Sequence, residues 1–569
     1  MSDGKIERNR IRIIITLVVI AGVLVIGRLF SLQVLNGNEY KDRAEHQYVT
    51  PSTDVFDRGN ILFTNKNGTT VAAATVTSGF KAAINPSQVK EPEKEYQELN
   101  KIIPIDHEKF MESVSKKNDP YEEIATEISA DDGDKISKLD LPGVTLYRQK
   151  WRFYPGGSLA AKAVGFVSYK GNDYVGNYGL EQYYNDVLTK SSNDFYVNFF
   201  AEIFANIQST VFKNRTSIGD IKMTIEPTVQ AELENAVKGV QEKWSSESVG
   251  AIVMDPYTGA IIAMANVPNF DLNHFGDVEN VSTYNNQLVQ SAFEMGSIIK
   301  PLIMAAAIQE GVVTPETSYF DPGQVTVNGK VINNFDKKGR GHATMQDVLN
   351  QSLNTGMVFV QQKLGKEKFK EYLLDKYHLG EKTGIDLPGE INGLVSSLNG
   401  NNDVNYATAA FGQGIATTPI NIVRGYGMLA NGGTLITPHL VSAIEEEDGT
   451  EKPLEYKSTP GVLKPETIST IRNMMVHVVD DGYHKGMAHY KVAAKTGTAQ
   501  IAKPNGGGYY DDRNLHSLIG FFPASDPKYV VYFYNYYPKG VRYAIETLAD
   551  PFFHMIQFLG NYYEIAPDR

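Results

Sequence analysis

The chain has 569 residues, 42% of them hydrophobic and 21% charged, which is the composition of a globular protein with two or more domains. A net charge of −12, with no basic stripe beyond the N-terminus, excludes a typical nucleic-acid-binding protein. The chain has no cysteine, which excludes disulfides, thiolate nucleophiles and cysteine-ligated zinc. Its eleven histidines form no pair with metal-ligand spacing, so the sequence predicts no metal and no cofactor.

An apolar segment near the N-terminus is the membrane candidate of the chain. Residues 13–27 carry no charge, and residues 11–35 together are long enough to cross a bilayer as a helix. Four basic residues precede the segment: Lys5, Arg8, Arg10 and Arg12. They predict a cytoplasmic N-terminus, with residues 1–10 as its tail. Because no Ala-x-Ala cleavage site follows, we expect an uncleaved single-pass anchor.

The remainder of the chain divides into two predicted regions near residue 225, where the pattern of apolar and polar residues changes. Residues 36–225 show short strands and polar helices without a catalytic constellation. Further on, apolar strands at 249–254 and 260–265 flank a turn with Pro256 and Gly259, which predicts a hairpin. Later strands are predicted at 492–499, 517–522 and 529–536. Strands at both ends of a helical stretch predict an α+β fold, with an antiparallel sheet assembled from both ends of the segment.

A serine and a lysine open the first helix of that helical stretch. Ser297 follows Gly296, and the apolar run after it contains Pro301 and ends at Gly311. Because proline is tolerated only in the first turn, the helix should begin near Ser297, with unpaired N–H groups beside the hydroxyl. Lys300 falls on the same face. An apolar setting favours a neutral amine, which can accept the proton of Ser297.

Two polar motifs follow in the chain. The pair Ser352-x-Asn354 lies in a short turn between two helical patterns, which is a rigid place for polar groups. The motif Lys495-Thr496-Gly497 lies on the first of the late strands, among small and β-branched residues that allow a substrate backbone to approach. A hydroxyl nucleophile, an amine base, a proton relay and a carboxylate-binding strand are what acyl transfer from a small peptide needs.

Each motif alone is weak, since the chain holds further copies of all three. The other copies begin at Ser78, Ser87, Ser113 and Ser525 for Ser-x-x-Lys, at Ser191 and Ser397 for Ser-x-Asn, and at Lys382 for Lys-Thr-Gly. Ser525 precedes Asp526-Pro527, and the Lys382 copy leads into Pro388-Gly389, both of which are turn chemistry. We therefore interpret the Lys382 copy as structural.

In this order, the three chosen motifs resemble those of the class B, monofunctional penicillin-binding proteins, which are peptidoglycan D,D-transpeptidases, and in particular the septal cell-division type. The segments starting at Arg58, Arg152 and Gly179 look like the family's three N-terminal boxes. Gly412-Gln413-Gly414 resembles a stretch before its catalytic strand.

The resemblance implies a particular domain organisation. An elongated α+β pedestal of the dimerisation type would occupy residues 36–225, after the anchor at 11–35. The transpeptidase domain would occupy residues 226–569, as an antiparallel sheet flanked by helices with a helical subdomain. The protein would sit in a bacterial cytoplasmic membrane with its catalytic domain outside the cell.

The resemblance also implies roles for the motif residues. It assigns catalysis to Ser297, Lys300, Ser352, Asn354 and Lys495, and substrate binding to Thr496, Gly497 and Thr498. The backbone N–H groups of Ser297 and Thr498 would form an oxyanion hole. Gly497 would let the substrate lie against the strand. The donors implied are peptidoglycan stem peptides ending in D-Ala-D-Ala, and the inhibitors implied are β-lactams.

The implied partners are a polytopic membrane glycan polymerase and other division proteins, because the chain shows no glycosyltransferase segment. Three alternatives stay open: an elongation-type transpeptidase, a hydrolase such as a β-lactamase or D,D-carboxypeptidase, and a non-enzymatic scaffold or penicillin sensor. The hydrolase would need an activated water, for which no glutamate motif is evident. The scaffold would be expected to lose motif residues, and none is lost.

Overall fold

The computed structural model describes residues 57–171, 173–189, 219–483, 487–504 and 506–569. The predicted membrane segment, 11–35, lies outside these ranges, and within them no helix is both long and apolar enough to cross a bilayer.

The described strands are β1 (Ile61–Thr64), β2 (Thr70–Ile84), β3 (Glu122–Ile128), β4 (Val144–Phe153), β5 (Phe166–Lys170), β6 (Asp173–Asn177), β7 (Gly219–Met223), β8 (Ser248–Met254), β9 (Ile261–Val267), β10 (Ser318–Asp321), β11 (Gln324–Val327), β12 (Lys330–Asn333), β13 (Gly341–Thr344), β14 (Leu435–Ile436), β15 (Val441–Glu446), β16 (Glu451–Pro453), β17 (Ser458–Thr459), β18 (Ala493–Ala502), β19 (Tyr509–Phe522) and β20 (Tyr529–Tyr536). The described α-helices are α1 (Pro92–Asn100), α2 (His107–Ser115), α3 (Ala130–Ser137), α4 (Ala161–Val164), α5 (Gly179–Tyr183), α6 (Asn185–Leu188), α7 (Pro227–Trp244), α8 (Gln287–Gln290), α9 (Lys300–Gln309), α10 (Met345–Asn350), α11 (Asn354–Leu364), α12 (Lys366–Lys370), α13 (Asp403–Ala409), α14 (Pro419–Ala430), α15 (Pro465–Gly482) and α16 (Ala544–Tyr562).

The described chain divides into two compact units, and the smaller one consists of Asp57 and Val76–Trp151. In this unit β2 and β3 pair antiparallel, and three helices pack nearby. Helices α1, α2 and α3 contribute Leu99, Phe110 and Ile136 to one buried apolar cluster. This cluster is the core of the smaller unit.

The larger unit consists of Arg58–Thr75 and Arg152–Arg569. Its main sheet has the strand order β18-β19-β20-β8-β9, and every neighbouring pair is antiparallel. The prediction of an antiparallel sheet assembled from both ends of the segment is therefore confirmed. A second sheet in this unit is mixed, because β7 pairs parallel with β1 and antiparallel with β15.

Helices surround the main sheet and form the insertion between β9 and β18. Helices α7 and α16 pack against each other and against the sheet, and α14 and α15 also contact it. Helix α9 contacts α11, α14 and α15 and is buried from Lys300 to Ala307. Burial on all sides explains why its sequence is apolar without an amphipathic pattern.

The three segments that resemble N-terminal family boxes meet at one buried ion triad in the larger unit. Glu181 Oε2 accepts from Arg58 Nε and its Oε1 accepts from Arg152 Nε, each at 2.6 Å. All three side chains are fully buried. Arg152 also donates to the Gly59 carbonyl at 2.8 Å. The triad thus ties together three chain segments, and Arg58 and Glu181 lie 123 residues apart.

We expect Glu181→Ala to destabilise the protein by about 3–5 kcal/mol, because it leaves two buried guanidinium groups without the carboxylate that balances their charge. The measurement is the free energy of unfolding in urea. Lys528→Ala is the matched control, since Lys528 pairs with Asp526 at 2.6 Å with both side chains largely exposed, and we expect a change below about 1 kcal/mol. Equal losses in the two variants would contradict the prediction.

Candidate active site

Ser297 lies in a 3₁₀ turn, Gly296–Ile299, that leads directly into α9. The expected helix start near this residue is therefore confirmed, with Pro301 in the first turn of α9. The two isoleucines after Ser297 are buried, and Tyr426 donates its hydroxyl proton to the Ile298 carbonyl at 2.7 Å. This anchoring leaves the side chain of Ser297 facing a cavity.

Lys300 is fully buried beneath that cavity. Its Nζ donates to the Ser352 carbonyl at 2.7 Å and to Asn354 Oδ1 at 2.9 Å, and it lies 3.3 Å from Ser352 Oγ. Burial lowers the pKa of Lys300 well below its ordinary value, and the charge of Lys495 lowers it further. A neutral amine has two N–H groups for the two carbonyl-type oxygens and keeps its lone pair free to accept a proton.

Ser352 lies in the turn between α10 and α11, where its φ of +54° is in the left-handed region. Non-glycine residues rarely adopt this conformation, and it is found at functional sites where the surrounding structure stabilises it. The turn directs both the carbonyl and the hydroxyl of Ser352 toward Lys300. Asn354 starts α11, and besides accepting from Lys300 it donates through Nδ2 to the Asn333 carbonyl at 3.0 Å. One N–H of its amide remains for a ligand.

Lys495, Thr496 and Thr498 lie on β18, which is an edge strand of the main sheet. The Thr496 N–H donates to the Tyr483 hydroxyl at 2.8 Å, so it points away from β19. N–H groups alternate in direction along a strand, so the Thr498 N–H also points to the open edge. Burial lowers the pKa of Lys495 to about 7, and its Nζ donates to the Thr496 carbonyl at 3.1 Å.

These groups share one cavity of about 490 Å³. The predicted residues that line it are Ser297, Ser352, Asn354, Lys495, Thr496 and Thr498. Asn354 and Thr498, which line this cavity, also line an adjoining groove of about 1130 Å³. The groove is lined by Thr498 and Gln500 of β18, so it continues from the cavity along this strand.

Gly497 does not line the cavity. A Cβ added to it would lie 2.5 Å from Ser517 Oγ and 2.8 Å from the Met295 carbonyl oxygen. The structure therefore replaces the expectation that this glycine makes room for substrate. Its missing side chain lets β18 approach the segment that carries Ser297, because the protein itself fills the space.

Several cavity residues were missed by sequence reasoning, since no motif marks them. They include Phe335, Tyr483 and Tyr543. A further residue, Glu294, holds two segments near the cavity in place. It accepts from the Gly414 N–H at 3.1 Å and from the Tyr509 hydroxyl at 2.9 Å. Its proximity to Ser297 in the sequence was the available signal.

The second Lys-Thr-Gly copy has a structural role, as the sequence predicted. Glu390 accepts from the backbone N–H and the hydroxyl of Thr383, each at 2.6 Å, and from the Gly384 N–H at 3.0 Å. These bonds join the two ends of the loop formed by residues 383–390. Ser525 likewise bonds to Asp568 near the C-terminus, with Oγ to Oδ2 at 2.6 Å.

The pKa shifts predict a bell-shaped pH profile for acylation by a ligand with a carboxylate. With the roles that the family resemblance implies, Lys300 must be neutral as the base, so the rate should fall at acidic pH, and Lys495 must be protonated to bind the carboxylate, so the rate should fall above about pH 7. The measurement is the second-order acylation constant between pH 5 and 10. In Lys495→Arg the alkaline limb should move upward, because a guanidinium stays protonated there. Identical alkaline limbs would contradict the prediction.

A cavity beside an antiparallel sheet is lined by Ser297, a second serine and a lysine on an edge strand, and a buried lysine bonds to the second serine. This arrangement defines a serine acyltransferase with the penicillin-binding type of site. Residues 249–556 match the penicillin binding protein transpeptidase domain family, and residues 54–203 match the penicillin-binding protein dimerisation domain family. The chain belongs to the penicillin-binding protein transpeptidase family, which confirms the resemblance seen in the motifs.

Similar proteins and a similar crystal structure support the assignment to this family. Stage V sporulation protein D of Bacillus subtilis (strain 168) is 33% identical over 557 residues, covering 96% of this chain and 84% of that protein. Peptidoglycan D,D-transpeptidase FtsI of Escherichia coli (strain K12) is 28% identical over 445 residues, covering 76% and 71%. The apo crystal structure of penicillin binding protein 3 from Mycobacterium tuberculosis superposes with a TM-score of 0.65 at 27% identity, covering 74% of this chain and 92% of that chain.

Proposed function

We propose that this protein is a peptidoglycan D,D-transpeptidase, which cross-links stem peptides through a serine acyl-enzyme, releases D-alanine and is inactivated by β-lactams. The observation that carries the proposal is the convergence of Ser297, Lys300 and Ser352 beside the edge strand that bears Lys495. The transpeptidase family match and the name of the Escherichia coli relative support the same reaction.

In the acylation step, Ser297 Oγ attacks the carbonyl carbon of the penultimate D-Ala and Lys300 Nζ takes its proton. The N–H groups of Ser297 and Thr498 stabilise the oxyanion, at about 3 kcal/mol per donor. Lys495 and the hydroxyls of Thr496 and Thr498 bind the terminal carboxylate. The Thr498 hydroxyl oxygen accepts from the Ala544 N–H at 3.1 Å, so its own proton is free for this contact.

The intermediate then loses the terminal D-Ala. As the C–N bond breaks, the leaving amine gains a proton through the hydroxyl of Ser352, which lies next to Lys300. In the second half-reaction, the amine of a neighbouring stem attacks the ester carbonyl and the bond to Ser297 Oγ breaks. The proton of the amine returns to Ser297 Oγ through Lys300, and the product is the cross-linked peptide.

The domain organisation belongs to the same proposal. Residues 1–10 form a cytoplasmic tail, 11–35 a membrane anchor, 36–225 a pedestal and 226–569 the transpeptidase domain outside the cell. The supports are the basic residues before the apolar segment and the match of residues 54–203 to the dimerisation family. The expected partner is a membrane glycan polymerase of the division machinery, since the enzyme joins strands that another protein polymerises.

Septal wall synthesis is the proposed setting, and a spore wall is the second candidate. The relative named Stage V sporulation protein D, at 33% identity, favours the second candidate. A fluorescent fusion in the native host separates the two settings. Enrichment at division septa in growing cells supports the first, and expression confined to sporulating cells supports the second.

The test of the reaction is the intact mass of the purified full-length protein during incubation with a fluorescent penicillin over hours, with the adduct mapped by proteolysis. We expect one stable adduct on the Ser297 peptide and release of D-alanine from a D-Ala-D-Ala donor. An adduct that disappears within seconds would indicate a hydrolase. No adduct and no D-alanine release would contradict the proposal.

A further inference from the structure

Tyr483 directly follows helix α15 and lines the cavity, and it belongs to none of the three sequence motifs. Its hydroxyl accepts from the Thr496 N–H at 2.8 Å and donates to Thr496 Oγ1 at 3.1 Å. The side chain is buried, with 8% of the residue exposed. One phenol therefore bonds both polar groups of a single threonine on the catalytic strand.

The bond to the backbone follows from the position of β18 at the edge of its sheet. An edge strand has a row of N–H groups without a partner strand, and a buried N–H without an acceptor is costly. The Tyr483 hydroxyl supplies that acceptor for Thr496. It therefore holds the strand edge where the donor carboxylate is proposed to bind.

The bond to the side chain decides where the threonine proton goes. A phenol has one proton, and burial raises the pKa of Tyr483 to about 12, so the proton stays on at neutral pH. Within the described residues, Thr496 Oγ1 is the acceptor of that proton. With one lone pair of Oγ1 occupied from this side, the proton of Thr496 is directed away from Tyr483, toward the cavity that Thr496 lines.

We propose that Tyr483 is a positioning residue of the carboxylate site, which orients the Thr496 hydroxyl as a hydrogen-bond donor to the terminal carboxylate of the donor peptide. The inference rests on the proposed function, and it adds a residue from outside the three motifs. Tyr483 touches Thr496 and acts through it.

The test is the second-order acylation constant of Tyr483→Phe with benzylpenicillin and with its methyl ester, which lacks the carboxylate. We expect a loss of about tenfold for the free acid, the size of one hydrogen bond to a charged group, and a much smaller loss for the ester. Thr496→Val should show the same selectivity. The double variant should lose no more of the preference for acid over ester than Thr496→Val alone, because both changes remove the hydrogen bond between the two hydroxyls. Tyr483→Phe also removes the acceptor of the Thr496 N–H, and that loss should affect both ligands alike.

The matched control is Tyr490→Phe, since Tyr490 is also buried but donates to the Ile565 carbonyl at 2.7 Å, away from the cavity. We expect this variant to acylate like the wild type with both ligands. Equal losses for acid and ester in Tyr483→Phe, or an additive loss of the preference for acid over ester in the double variant, would overturn the inference. A wild-type protein that forms no Ser297 adduct would instead contradict the proposed function, so the two failures are distinguishable.

Discussion

Ser297→Ala should abolish covalent labelling by penicillin and release of D-alanine from a D-Ala-D-Ala donor, with a loss on the order of 10⁶-fold in rate. The alanine removes the only atom that can form the ester, while Ile298 and Ile299 keep the turn anchored in the core. Melting temperature should be close to that of the wild type, because the serine side chain faces the cavity. The measurement is gel fluorescence with a labelled penicillin, together with a D-alanine assay.

The control for this variant comes from another copy of the same motif. Ser525→Ala also removes the serine of a Ser-x-x-Lys sequence, but Ser525 bonds to Asp568 and lies outside the cavity. It should label like the wild type. Persistent labelling of Ser297→Ala would show that another side chain is the nucleophile.

Lys300→Met should slow acylation by about 10²–10⁴-fold, which is the usual contribution of a general base. Methionine approximates the length of the lysine and fills its buried space, whereas alanine would leave a cavity. The Ser352 carbonyl and Asn354 Oδ1 lose their donor, so we also expect some loss of stability. Stopped-flow acylation and the melting temperature should therefore be measured on the same preparation.

Two further measurements separate the base from a structural role. In the Ser297→Ala background, Lys300→Met should leave non-covalent binding of the penicillin nearly unchanged, since the proposed carboxylate contacts come from Lys495 and Thr496. The exposed Lys528→Met is the control for the side-chain change itself. Acylation at the wild-type rate in Lys300→Met would exclude Lys300 as the base.

Much of the local structure was predictable because it depends on neighbours in the sequence. Pro301 limited the start of its helix to the region of Ser297, and the structure begins the turn at Gly296. The hairpin predicted at 249–254 and 260–265 is β8 with β9, and the strand predicted at 492–499 is β18. Turn chemistry and period-two patterns act over a few residues, so a single sequence carries them.

Other features depended on contacts that the sequence does not encode locally. Asn354 accepts from Lys300 and donates to the Asn333 carbonyl, and no pattern in the sequence indicated either contact. Gly497 was expected to face substrate, but it faces Ser517 and Met295. These contacts join residues that lie at least 20 positions apart in the chain.

The sequence by itself determined the chemistry of this protein: a hydroxyl, two amines and a polar turn in a fixed order, on helices and strands that neighbouring residues specify. Local context in the sequence already favoured three motif copies over the others, and only the tertiary structure brings those three together in one site. Packing in the core brings Lys300 within 2.7 Å of the Ser352 carbonyl, removes water from both lysines and so lowers the pKa of each. It also places Tyr483 against Thr496. Desolvation and hydrogen bonding between distant segments exist only once the chain has folded. The sequence therefore identifies the reactive groups of the site, whereas the fold sets their pKa values and their hydrogen bonds.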